Sequence, residues 1–298
     1  MANARDIRRR IKGVKSTGKI TRAMEMISAV KMRKSVASVL AIRPYAKHAI
    51  ALLGQLKKAT GQEGHPLLTE RSIQKELYVV IGSNRGLCGG FNAQVAKRMR
   101  SVLKEDTGRE KCFITIGKKS DAIVRRMDGN GIASFPDVLA APTAEYMRPI
   151  AKIIIEEFET RRVDRVVMIY TDYVSVMQQE VKVRALLPVT LEDTKKALHE
   201  MTEKEEVYRE SDVEYLVEPT PKKVLWKMIP RLLEMELYHA ILESNASQEA
   251  ARMMAMRNAT DAAKDMVADL TLAYNQVRQQ KITQEIAELS AGMAAVSR

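Results

Sequence analysis

Residues 246–277 read ASQEAARMMAMRNATDAAKDMVADLTLAYNQV, without a glycine or a proline. Ala246, Met253, Met256, Ala263, Val267, Leu270, Tyr274 and Val277 fall on one seam, in steps that alternate between three and four. Glu249 and Thr260 occupy two further positions of the same seam. An apolar period near 3.5 residues belongs to a helix that packs along a single partner helix. Downstream, Ile282, Ile286, Leu289, Met293 and Val296 continue as a second stripe. Upstream, Pro219-Thr220-Pro221 marks the start, with Thr220 as a helix N-cap and Pro221 at the first helical position. Pro230 is the only later proline and predicts a kink or a restart.

The opening of the chain mirrors its end. Ile7, Ile11 and Val14, then Ile20, Met24, Ile27 and Val30, then Val36, Val39 and Leu40 follow helical spacing. Pro44 is the lone proline, and Gly13 and Gly18 are isolated. The pattern predicts helix over residues 3–58, about 80 Å long at ~1.5 Å per residue, which no compact globule of this size requires. Two such segments suit an intramolecular antiparallel coiled coil. Spacing alone serves a homodimeric coiled coil or an ordinary bundle equally well.

Between the two ends the period changes. Strands are expected at Glu76–Gly82, Lys111–Gly117, Ile132–Phe135, Arg165–Thr171 and Val181–Leu187, the last an antiparallel edge strand. Helices are expected at Asn92–Leu103, Lys118–Met127 and Ala144–Glu159. Strands alternating with helices give a Rossmann-like α/β layer. The expected organisation is an N-terminal coiled-coil helix over 1–60, a central α/β domain over 75–190, a connector over 191–220 and a C-terminal coiled-coil helix over 221–298. The connector is acidic, polar and glycine-free across 195–218.

The net charge of +12 lies almost wholly in the first sixty residues, where 15 Lys and Arg face two acids, Asp6 and Glu25. Such a segment favours an acidic partner: protein, nucleic acid or an anionic membrane face. Aromatics make up only 5% of the chain, whereas Met occurs 17 times, which fits long helices better than a large compact core. Cys88 and Cys112 form no CxxC pair and predict free thiols in a reducing compartment. The longest apolar runs are far too short to span a bilayer.

Candidate chemistry is sparse. Gly82–Asn92 sits between strand and helix, where phosphate-binding loops sit. It matches neither GxxxxGK[ST] nor GxGxxG, so a structural turn is the leading reading, ahead of a nucleotide site or a Cys88 nucleophile. The four histidines are scattered, without metal-ligand spacing, and no nucleophile motif occurs. No catalytic residue, cofactor or metal site is expected. The basic stretch Arg8–Lys12 with Lys15, Lys19, Arg22, Lys31, Arg33 and Lys34 supports one alternative, a basic coiled-coil nucleic-acid-binding protein. With Tyr45 the only aromatic in residues 1–60, it offers no base-stacking platform.

Three blocks carry a resemblance that covers essentially the whole chain. The first is Arg5-Asp-Ile-Arg8, Arg10-Ile-Lys12 and Thr17 to Ile27, continuing to Lys31-Met-Arg-Lys34. The second is Arg85-Gly-Leu-Cys-Gly-Gly-Phe-Asn92. The third runs from Glu249 to Met256 and takes in Ala259-Thr-Asp261, Leu270 to Asn275, Arg278-Gln279 and Ile282-Thr-Gln-Glu285. Together they resemble the gamma subunits of F-type rotary ATP synthases. The resemblance implies the central rotor stalk of a proton-driven (H+-transporting two-sector) enzyme, itself non-catalytic and without a cofactor, transmitting torque in ATP synthesis and ion transport. Implied partners are a ring of alternating α and β subunits, an epsilon subunit and the membrane c-ring, with no nucleic acid and no membrane span. The implied location is peripheral, on the cytoplasmic side of a bacterial inner (plasma) membrane. Met24, Arg278, Gln279, Thr283 and Glu285 are the implied contacts with the catalytic subunits. Lys281 and Ala262 depart from the family's usual residues at surface positions. The segment with a redox dithiol seen in chloroplast relatives is missing, so thiol regulation is not expected.

Overall fold

The computed structural model describes residues 4–60, 65–105, 108–139, 142–190 and 217–296. It divides into two compact units: Val30–Ala251, and Met1–Ala29 together with Arg252–Arg298. The division falls inside two long helices, α1 (Ala4–Thr60) and α5 (Pro221–Val296). The expected connector over 191–220 lies almost wholly outside the described residues.

Unit Val30–Ala251 is built on a five-stranded sheet. Its strands are β1 (Lys75–Ile81), β2 (Glu110–Ile116), β3 (Asn130–Phe135), β4 (Arg165–Tyr173) and β5 (Gln179–Leu187), in the order β3-β2-β1-β4-β5. The first four are mutually parallel, and β5 pairs antiparallel with β4 as an edge strand. The helices between them are α2 (Phe91–Glu105), α3 (Lys118–Arg125) and α4 (Ala144–Glu159).

Parallel strands covered on both faces read as continuous apolar runs, and β1 is buried from Glu76 to Ile81. Leu77, Val79 and Ile81 join Met147, Ile154 and Phe158 of α4, Ile42 and Leu56 of α1, and Ile229, Leu233 and Ile241 of α5 in one core. Tyr78 and Val80 point the other way, onto Val95 and Met99 of α2 and Val124 of α3. Glu76 is the one acid buried at the start of β1. It accepts from Tyr78 Oη at 2.6 Å and faces Arg109 at 2.9 Å and Arg165 at 3.5 Å, so the starts of three strands converge on one carboxylate.

Thr220 caps α5 as expected, its hydroxyl accepting from Lys223 N at 3.4 Å. Of the two outcomes read at Pro230, a kink or a restart, the restart does not occur, because α5 runs through it. Proline has no N–H, so it orphans the carbonyl of the residue four positions back, here Trp226. The His65 imidazole supplies the missing donor to that carbonyl. Its Nδ1 accepts from Leu67 N at 3.1 Å, and its ring lies 4.4 Å from the Trp226 ring. Burial lowers the His65 pKa, and the bond to Trp226 opposes that in part. A neutral ring, donor at one nitrogen and acceptor at the other, is what this arrangement uses.

Candidate interaction surface

In the unit made of residues 1–29 and 252–298, α1 and α5 pack against each other. The Thr21 and Thr260 hydroxyls meet at 2.8 Å, and a Cβ placed on Gly18 would lie 3.3 Å from that of Ala263. Position numbers fall on one helix as they rise on the other, so the pair is antiparallel and lies within one chain. The α5 side of the seam is the predicted one: Met256 and Thr260 are buried, and Ala263, Val267, Leu270, Tyr274 and Val277 are half-buried.

The α1 side differs from the spacing read earlier. From Ile7, Ile11 and Val14 the seam continues in steps of four and three through Gly18, Thr21, Glu25 and Ser28. Ile20 and Ile27 are off the seam, 58% and 56% exposed, and Met26 is also exposed. A second apolar stripe, offset in phase, therefore faces outward. On α5 the continuation through Ile282, Ile286, Leu289 and Met293 is exposed as well; the Val296 side chain lies outside the described residues.

The five expected contact residues all lie on this unit. Met24 is half-buried beside the seam, whereas Arg278, Gln279, Thr283 and Glu285 are exposed on α5. Glu285 pairs with Lys281 at 3.7 Å, and Gln279 and Thr283 share a shallow open depression with Gln276, Gln280 and Gln284. The Thr21–Thr260 register sets Met24 level with Arg257, so Arg278 lies some 30 Å further along the pair at ~1.5 Å per residue. Met24 and the α5 group are thus two separate patches. Their backgrounds also differ: residues 4–29 carry eight basic side chains against two acids, whereas residues 252–296 carry five of each.

The glycine loop is a closed corner. Asn92 Oδ1 accepts from Ser83 N at 3.2 Å, Asn92 Nδ2 reaches Cys88 Sγ at 3.2 Å, and the Ser83 hydroxyl donates to the Arg85 carbonyl at 2.9 Å. Asn84 Oδ1 accepts from Lys118 N at 3.0 Å. These side chains satisfy one another and the neighbouring strand end rather than pointing at a ligand. Gly82 is required by packing, because a Cβ there would lie 2.9 Å from Ser120. Cys88 and Cys112 are free and buried, and no group of three or more His, Cys, Asp or Glu among the described residues is placed to hold a metal. No described helix is long and apolar enough to cross a membrane. Sequence reasoning missed His65 as the donor opposite Pro230, and the contact of Asp172 with Glu243, because each depends on partners distant in sequence.

Comparison with known proteins places these features. The ATP synthase family model matches residues 3–296. The ATP synthase gamma chain of Pelotomaculum thermopropionicum is 39% identical, over 99% of this chain and 100% of that protein. That of Xanthomonas campestris pv. campestris is 38% identical over the same shares. Among solved structures, a chain of the Euglena gracilis mitochondrial ATP synthase rotor superposes with a TM-score of 0.62 at 19% identity, covering 94% of this chain and 98% of that one. A chain of the Tetrahymena thermophila mitochondrial ATP synthase central stalk and c-ring gives a TM-score of 0.60 at 23% identity, covering 80% and 99%.

Proposed function

Because this chain belongs to the ATP synthase gamma-chain family, we propose that it is the central stalk of a rotary ATP synthase, working by shape and charge rather than by reactive groups. The observation that carries this reading is the antiparallel pairing of the two ends of a chain that aligns with gamma chains from end to end. The basic coiled-coil nucleic-acid alternative finds no support among these relatives.

The partners that follow are a ring of alternating α and β subunits around the helix pair, with an epsilon subunit and a membrane c-ring at the sheet. The chain would then be peripheral, at the cytoplasmic side of a bacterial plasma membrane, and non-catalytic. Rotation presents a basic α1 face, a charge-balanced α5 face or an apolar stripe in turn to each catalytic subunit. A partner changes state only as far as its contacts with the two states differ in free energy. Reversing a site from 1:99 to 99:1 takes about 5.5 kcal/mol. Contacts at Arg278, Gln279, Thr283, Glu285 and Met24, with the exposed Ile20 and Ile27, supply groups of the right kind: side chains that gain partners in one orientation and lose them in another.

The test is affinity purification of the tagged chain from its native membranes. Recovery of an ATP-hydrolysing complex containing α, β and epsilon subunits supports the proposal. Recovery of the chain alone, with salt-sensitive nucleic-acid binding, refutes it.

A further inference from the structure

We infer that a proton held between two buried carboxyl groups clasps α5 to the β4–β5 hairpin, and that raising the pH opens this clasp. Asp172 lies near the end of β4 and Glu243 in α5, both within Val30–Ala251. Their side chains are only 14% and 12% exposed, and the Ser247 hydroxyl, one turn along α5 from Glu243, donates to the Thr171 carbonyl at 3.3 Å, which brings the two carboxyls together in position to share one hydrogen bond. Two carboxylates have no hydrogen to share, so the bond exists only while one of them is protonated.

The surroundings assign the proton to Glu243. Asp172 faces the Lys182 ammonium from β5. Oε2 of Glu243 is buried with no donor group directed at it, and Oε1 lies 3.4 Å from His239 Nε2 on its own helix. Arg184, also on β5, faces the pair from over the Tyr170 ring, 5.8 Å from its centroid. Burial first, then Asp172, push Glu243 from 4.5 up to about 9 against the pull of Lys182 and Arg184. Burial acts on Asp172 in the same upward sense, but the hydrogen bond from Glu243 and the Lys182 charge bring it below its usual value.

The sign follows from proton counting. Between 4.5 and about 9 the folded chain holds a proton that the unfolded chain has lost. Stability from this site is therefore complete at acid pH, declines as pH rises through that window, and levels off above it. Asp172, its value lowered, acts only at the acid end. Once the proton leaves, two anions face each other across a buried contact. The hairpin is the element able to yield, since β5 is paired on one side only and its tip residues Val174 and Met177 are exposed.

The test uses the full-length chain with carbon-13 in its glutamate carboxyls, titrated from neutral to alkaline pH by NMR. One resonance is expected to move with a midpoint near 9 and to be absent in Glu243→Gln. In parallel, amide exchange across Val174–Gln179, corrected for base catalysis, should rise on the order of tenfold through that midpoint. It should stay flat in Glu243→Gln, whose amide donates to Asp172 at every pH. If every glutamate titrates in the ordinary range, the shared proton is overturned. A late-titrating glutamate with flat wild-type exchange overturns the clasp. Should Glu243→Gln fail to fold, the wild-type titration and exchange decide the matter by themselves.

Discussion

Replacing Thr21 and Thr260 with valine, singly and together, asks whether the hydroxyl pair in the helix seam acts as a unit. Thr260 Oγ1 donates to the Met256 carbonyl at 2.8 Å, so its hydrogen is committed, and the 2.8 Å contact across the seam is completed by the Thr21 hydroxyl. Thr21 has a fallback acceptor, the Gly18 carbonyl at 3.1 Å. Neither single substitution therefore leaves a stranded polar group. Each should cost about 1 kcal/mol, the net worth of an intramolecular hydrogen bond. In the double variant no cross-seam bond remains to be lost twice, so the combined cost falls short of the sum by about 1 kcal/mol. Urea unfolding of the four full-length proteins, followed by far-ultraviolet circular dichroism with the slope unchanged across the set, measures the cycle. A coupling below about 0.3 kcal/mol, the scatter of independent sites, would refute the reasoning.

Other outcomes follow from the same geometry. Arg278→Ala, at an exposed position, should leave the unfolding free energy nearly unchanged, within about 0.5 kcal/mol. It should reduce ATP turnover or synthesis in the reconstituted complex, and unchanged rates would count against the contact. Gly82→Ala forces a Cβ to within 2.9 Å of Ser120 backbone and side chain, and should lower urea resistance by about 1–3 kcal/mol. His65→Phe keeps a ring but strands Leu67 N–H and the Trp226 carbonyl, for a loss of about 2 kcal/mol seen in thermal melts. Since burial lowers the His65 pKa, wild-type stability from this site is present above 6.5 and is lost as pH falls below it. The Phe variant should lack that acid-side slope.

How far the sequence could be read varied with the kind of signal. The strands were plain because burial on both faces makes β1, β2 and β4 continuous apolar runs, and Val181–Leu187 alternated as an edge strand does. The α5 seam was plain because Val267, Leu270, Tyr274 and Val277 are apolar. The α1 seam was not: its middle is Gly18, Thr21, Glu25 and Ser28, while the hydrophobic Ile20 and Ile27 face outward. Hydrophobicity marks the residues that avoid water, and on a helix with two apolar stripes it cannot say which of them packs within the chain. Pro230 left a kink and a restart both open for a related reason, since a restart is expected only when nothing nearby can replace the lost donor. The carboxyl pair was illegible because the proton on Glu243 depends on Asp172, far away along the chain.

The small residues in the α1 seam also have a mechanical consequence. Glycine, threonine and serine let two helix backbones come close, and the flexural stiffness of a two-stranded beam falls roughly with the square of the spacing between its strands. A closely set pair of this kind twists and bows under a load that a thicker, leucine-filled pair would resist. Bulkier substitutions at Gly18 or Ser28 would stiffen it only by prising the strands apart.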